Sequence, residues 1–217
     1  MNIRIIFLLI CSIILPAGLN AQTDTAAVRR LLEESLLRIR NNQLVEAVQI
    51  LDRGRDVLHK IVVDLNEKNQ NIITSNQLTR EAEILIRQNN LNEALDLLNQ
   101  AIYLNDNNIE AYKFRGSIRL LLEQQIPRRR DRDYIGLIND YTNAIRIAER
   151  RIALTPRHSQ ERKELEKEMA KIFINRAYVK LQTGRFAGFY SAIDDYNEAV
   201  KFDDQNWEDR KSTRLNS

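Results

Sequence analysis

One stretch of this sequence occurs twice, and that recurrence limits the fold more than any other feature. Asp140-Tyr-Thr-Asn-Ala144-Ile-Arg-Ile147 and Asp195-Tyr-Asn-Glu-Ala199-Val-Lys-Phe202 carry Asp, Tyr and Ala at the same spacing. Ala94-Leu-Asp-Leu-Leu98-Asn-Gln-Ala101-Ile-Tyr-Leu104 follows the same apolar positions. A fainter copy, Leu44-Val-Glu-Ala47-Val-Gln-Ile-Leu51, matches Leu91-Asn-Glu-Ala94-Leu-Asp-Leu-Leu98. A chain that repeats itself folds as similar units, each too small to bury its apolar face except against a neighbour.

The units read as helices. Past residue 21 there are only two prolines, Pro127 and Pro156, both between periodic segments. Leu91, Ala94, Leu95, Leu98, Ala101 and Ile102 form one apolar helical face. Ala94, Ala101, Gly116, Ala144, Ala177 and Ala199 are small enough to let neighbouring helices approach closely. Gly184 is placed to end a helix, and Thr155-Pro156 with Ser159 offers helix-start chemistry. No segment alternates apolar and polar residues as a strand would. The expectation is an all-α fold.

These residues resemble the tetratricopeptide repeat, a helix-turn-helix unit of about 34 residues. The best copy spans 75–108, with Leu78, Ala82, Leu85, Leu91, Ala94, Leu98 and Ala101 at the family's packing positions. A second unit, 109–150, carries Tyr112, Gly116, Tyr134, Tyr141 and Ala144. A third, 170–206, carries Ala177, Gly184, Phe186, Tyr196 and Ala199, and Trp207 falls where a further unit would begin. Residues 22–74 form a degenerate N-terminal hairpin, with surplus residues after Val57. The second and third units exceed one period. Longer helices, or loops around Gln125–Asp133, Thr155–Gln160 and Arg185–Ser191, must take up the excess. The resemblance implies hairpins stacked as a right-handed superhelix, an α-solenoid. It also implies a groove lined by the first helix of each unit and gripping a protein or peptide partner. The family's groove positions fall on Asn76, Thr79, Glu83, Arg87, Lys113, Ser117, Leu121, Lys171, Tyr178 and Gln182. Arg87 and Lys113 are the candidates to hold a carboxylate, although the fuller Lys/Asn/Arg set of the family's carboxylate clamp is missing.

The ends carry separate messages. Met1 to Gln22 has one positive charge at Arg4, an apolar run from Ile5 to Leu15 and a small residue at Ala21. This describes a secretory signal peptide over 1–21, and the apolar run is short for a membrane span. Cys11 lies inside that run without a lipobox, and it is the only cysteine in the chain. Asp209 to Ser217 matches no upstream repeat and reads as an in-frame translation of a sequencing adapter. The expectation is that the native protein continues beyond Glu208.

The charge must be read with those ends removed. The net charge is +3 over 217 residues. Arg4 supplies one positive charge, and Arg210, Lys211 and Arg214 against Asp209 supply two, so residues 22–208 are close to neutral. The basic balance is therefore no argument for nucleic acid or an anionic membrane as partner. The cluster from Arg128 to Asp133 mixes both signs and reads as a solvated loop.

Chemical constellations are missing. His59 and His158 have no companion at metal-ligand spacing. The glycines are isolated, so no phosphate loop forms. The acidic pairs Asp194-Asp195 and Asp203-Asp204 read as surface or capping residues, and 161–168 as the exposed face of a long helix. Tyr112, Tyr141, Phe173, Tyr196 and Trp207 fall on packing positions; Tyr178 falls one residue past the packing Ala177. The expectation is no enzyme, no cofactor and no metal. Instead the sequence points to an exported scaffold in a bacterial cell envelope, periplasmic or envelope-associated, binding a protein partner without nucleic acid or membrane insertion. The competing reading is the periplasmic sensor portion of a longer membrane signal transducer.

Overall fold

The computed structural model describes residues 19–126, 133–183 and 186–215, and the side chains of 25–126, 133–183 and 188–202. Gly184 and most of the expected leader and arginine cluster lie outside that set, as do the side chains of Phe186, Trp207 and 209–217. The described residues form seven helices and no strand: α1 (Leu19–Arg40), α2 (Leu44–Arg87), α3 (Leu91–Leu104), α4 (Ile109–Gln124), α5 (Tyr134–Leu154), α6 (Gln160–Gln182) and α7 (Phe186–Leu215). The all-α expectation holds. No helix among the described residues is long and apolar enough to cross a membrane.

Two compact units divide the chain between Asn71 and Ile72. In the first, Val28, Ser35, Ala47 and Ile50 are buried. Gly54 brings α2 close to α1, where a Cβ would lie 3.9 Å from that of Leu31.

Helices α1 and α2 end in the same way. Asn42 (φ 60°) and Asn89 (φ 62°) are the two non-glycine residues with left-handed backbone among those described. Around the first, the N–H of Asn42 donates to Ile39 and that of Gln43 to Arg38; around the second, Asn89 donates to Ile86 and Asn90 to Leu85. This is a Schellman stop, with asparagine where glycine is commonest. The sequences explain the match, since Ile39-Arg-Asn-Asn-Gln43-Leu-Val-Glu-Ala47 and Ile86-Arg-Gln-Asn-Asn90-Leu-Asn-Glu-Ala94 are nearly the same. The surplus expected after Val57 is absorbed into α2. That helix runs 44 residues without a break, past the boundary expected at 74.

In the second unit, neighbouring helices share two cores. Ala82 of α2, Leu91, Ala94, Leu98 and Ala101 of α3, and Ala111 and Ile118 of α4 form the first. The second joins α4 to α7 and includes Tyr112, Leu137, Tyr141, Ile147, Met169, Ile172, Phe173 and Ala199. Each fully buried Leu, Ile or Met side chain in it stabilises by about 1.5–3 kcal/mol. Phe202 stacks on Phe173 at 6.1 Å.

Helix starts are set by side chains. Asn108 caps α4 by accepting from the Ala111 N–H, Asp133 caps α5, and Ser159 caps α6. The excess length of the later units sits largely in α5 and α6, of 21 and 23 residues against 14 in α3. Of the loop expected at Arg185–Ser191, residues 186–191 are helical instead. Gly188 permits this tight return: a Cβ there would fall 2.5 Å from Thr183 Oγ1 and 2.8 Å from the Lys180 carbonyl oxygen.

Candidate partner-binding surface

The second unit is built around a repeated ionic clasp. Arg115 on α4 grips Asp140 on α5, Nη2 to Oδ1 at 2.5 Å and Nε to Oδ2 at 3.2 Å; Arg119 adds Nη1 to Oδ2 at 2.8 Å. One hairpin later, Arg176 on α6 grips Asp195 on α7, Nη2 to Oδ1 at 2.7 Å and Nε to Oδ2 at 3.0 Å, and Lys180 Nζ adds a contact at 2.7 Å. Both aspartates are buried. Each arginine also lies over a ring three residues earlier, Tyr112 or Phe173, at 5.4 Å. Its remaining nitrogen reaches back to the helix before its own: Arg115 Nη1 to Asn99 Oδ1 on α3 at 2.9 Å, and Arg176 Nη1 to Thr142 Oγ1 on α5 at 3.0 Å. Asn99 and Thr142 each stand two residues before a packing alanine, Ala101 or Ala144. One arginine therefore ties three helices, and it does so twice in the same register.

The clasp corrects one reading of the sequence. Asp195 is buried between Arg176 and Lys180, not a solvated surface acid; Asp194 beside it is exposed. Two cations make that burial tolerable. The Asp-Tyr recurrence was visible, but nothing in its local pattern pointed to cations one helix away. In the hairpin of α2 and α3, the corresponding positions are Glu81, Leu85 and Leu97, and the two leucines pack against the first core instead.

The groove candidates separate into three groups. Thr79 is buried, its hydroxyl donating to the Ser75 carbonyl at 2.8 Å and accepting from Asn108 Nδ2 at 2.9 Å. It ties α2 to α4 and offers no surface to a partner. Ser117 is half-buried, within 3.2 Å of the Tyr141 hydroxyl. The two candidate carboxylate-binding cations are already paired within the chain. Arg87 donates to Glu83 on the same helix at 2.7 Å, and Lys113 on α4 bonds both Glu110 and Glu168, the latter on α6. Burial pulls the Lys113 ammonium down, but hydrogen bonds to Glu168 and Glu110 outweigh it, so its pKa is raised from the ordinary 10.5. Asn76, Lys171, Tyr178 and Leu121 are exposed, and Gln182 is half-buried. Lys171 lies 3.6 Å from Glu168, so Lys113, Glu110, Glu168 and Lys171 form one charge-balanced patch spanning α4 and α6. Of the aromatic packing positions, Tyr112, Tyr141 and Phe173 are buried and Tyr196 is not.

His59 lies on α2 and His158 in the turn before α6, both exposed. Among the described residues, no group of three His, Cys, Asp or Glu is arranged to hold a metal ion.

No family model and no curated protein matches the chain. Among solved structures, one titled "DHF58 filament" aligns over 88% of this chain and 99% of its own, at 15% identity and a TM-score of 0.44. That likeness is too slight to bear on fold or assembly.

Proposed function

We propose that this chain is an exported tetratricopeptide-repeat scaffold of a bacterial cell envelope, stacking the hairpins from residue 75 onward as a right-handed superhelix to hold a protein or peptide partner. The observation that carries the reading is the recurrence of one packing register in successive hairpins. Tyr112, Arg115, Gly116 and Arg119 correspond to Phe173, Arg176, Ala177 and Lys180, as Asp140, Tyr141 and Ala144 do to Asp195, Tyr196 and Ala199. Units joined in this way present a face made of many similar helices, which suits recognition of another chain better than chemistry on a small molecule. The charged residues among the groove candidates act in this reading as a balanced, polar rim. Asn76 and Lys171 are its accessible contacts.

Two measurements test it. Fractionation of cells expressing the tagged chain should place it outside the cytoplasm; retention in the cytoplasm sinks the exported reading. Capture with the full chain should enrich a specific envelope protein, and Asn76→Arg with Lys171→Glu should reduce that enrichment at least tenfold while helical content is unchanged. Equal capture by parent and variant removes the groove from the account.

A further inference from the structure

Helix α2 is longer than the repeat needs. Asn42, Ala47 and Gly54 correspond to Asn89, Ala94 and Ala101, each 47 residues further on. In the later hairpin the second helix, α3, ends at Leu104, and the chain turns before starting α4 at Ile109. The equivalent end in the first hairpin is Val57, yet α2 continues to Arg87. The stretch that follows Val57 therefore belongs to neither hairpin. Burial marks it as well. Ile61 and Ser75 are buried, and none of the thirteen residues between them is. Leu65 and Ile72 are half-buried, while Val62, Val63 and Ile73 are exposed, so the helix has little apolar cover there. The boundary between the two compact units falls inside this stretch, after Asn71.

Composition decides how firmly such a stretch holds. A helix of about 12–15 residues without tertiary support is marginal in water even when rich in alanine, and residues 62–74 contain no alanine. Nine of the thirteen are β-branched residues, asparagine or aspartate. Each favours coil about two- to threefold over alanine, so together they favour opening by roughly 10³ or more. Breaking one helix into two requires a second nucleation, which opposes opening by a factor of about 10³. The two factors nearly cancel. The flanks differ, because buried side chains clamp them: Ala47 and Ile50 on one side, Thr79 and Ala82 on the other. Opening that starts in the middle stops where those contacts begin.

We infer that residues 62–74 of α2 are a breakable strut, opening and re-forming as helix while the hairpins on either side stay folded. The device uncouples the first hairpin from the repeats without any loop in the sequence to announce it. The test is hydrogen exchange of the purified full chain, read by mass spectrometry over peptides of α2 and α3. Amides of 62–74 should exchange at least 100-fold faster than those of α3, and faster than those of 44–57. Val63→Ala with Asn66→Ala and Asn69→Ala, all at exposed positions, should slow the strut about tenfold, from two- to threefold per residue, and leave α3 unchanged. Lys68→Pro works in the opposite direction, since proline cannot sit inside a helix without breaking it. It should hold the strut open and leave exchange in 44–57 and in α3 as in the parent. Exchange in 62–74 as slow as in α3 overturns the inference. So does exchange of 44–57 at the rate of the strut, which would mean that the first hairpin unfolds with it. A fast strut that the three alanines do not slow overturns it too, as does a proline that speeds exchange in either hairpin.

Discussion

Burial alone would expel the charge of Asp140 and Asp195, since a carboxylate loses its hydration there. Each is held because two cations, four residues apart on the facing helix, surround it. Removing the acid is therefore worse than never having had the clasp: Asp140→Ala leaves Arg115 and Arg119 facing each other without a counter-ion. We expect a loss of about 3 kcal/mol in urea unfolding, from the range for breaking a buried pair. The hairpin of α2 and α3 shows the alternative, with Glu81, Leu85 and Leu97 at the equivalent positions. The triple change Arg115→Glu, Arg119→Leu and Asp140→Leu should recover most of that loss. A triple variant less stable than Asp140→Ala would mean that the clasp contributes more than neutralisation. A second buried polar knot sits at Asn108. It caps α4 and donates to Ser75 Oγ and Thr79 Oγ1, both at 2.9 Å, while Ser75 Oγ donates to the Ala101 carbonyl at 2.7 Å. Asn108→Ala loses a cap, about 1 kcal/mol, and takes away the buried donor that Ser75 Oγ and Thr79 Oγ1 accept from, although each still donates to a carbonyl. Thermal unfolding should register roughly 2–3 kcal/mol in all; a change under 0.5 kcal/mol would show that water replaces the amide without penalty.

At the scale of elements, periodicity revealed most of the helices and little of their ends. The apolar stripe of α3 and the small residues Ala94, Ala101, Ala144, Ala177 and Ala199 were legible because a 3.6-residue period and close helix packing leave direct marks on a sequence. The length of α2 was not, since nothing local says that the second helix of one hairpin continues as the first helix of the next. Of the groove candidates, Thr79 shows why a family position is not a surface. The Asn108 side chain that closes over it lies 29 residues away, a distance no local pattern spans. The stop at Asn89 belongs to this scale too. At φ 62° a residue with a Cβ is strained, by roughly 1–2 kcal/mol for an ordinary side chain. Asparagine partly escapes this and glycine fully does. Asn89→Gly should thus be neutral to slightly stabilising and Asn89→Ala destabilising by about 1 kcal/mol, read from urea midpoints. Equal midpoints for the two variants would mean that the left-handed turn opens and that Asn89 does not set it.

Across the second unit as a whole, the titrating groups with displaced pKa values act in one direction. Tyr112 and Tyr141 are raised above the ordinary 10.0, each mainly because burial disfavours the phenolate. Lys113 is raised above 10.5 because its carboxylate partners outweigh the effect of burial. In every case the folded state holds its proton more tightly than the unfolded chain does. The stabilisation is complete below the unfolded pKa values and is lost as the pH rises from there through the folded ones. Stability should be level between pH 8 and 9.5 and fall steadily above pH 10, where the unfolded chain gives up protons that the folded one retains. Tyr141→Phe separates this from general alkaline repulsion. It removes one titrating hydroxyl along with the Ser117 contact, so its stability should be lower at pH 8 and decline less steeply above pH 10 than that of the parent. Lys113→Met should flatten the profile in the same way at its upper end. Parallel profiles for all three proteins would assign the alkaline loss to net charge across the chain rather than to the packed region between α4 and α6.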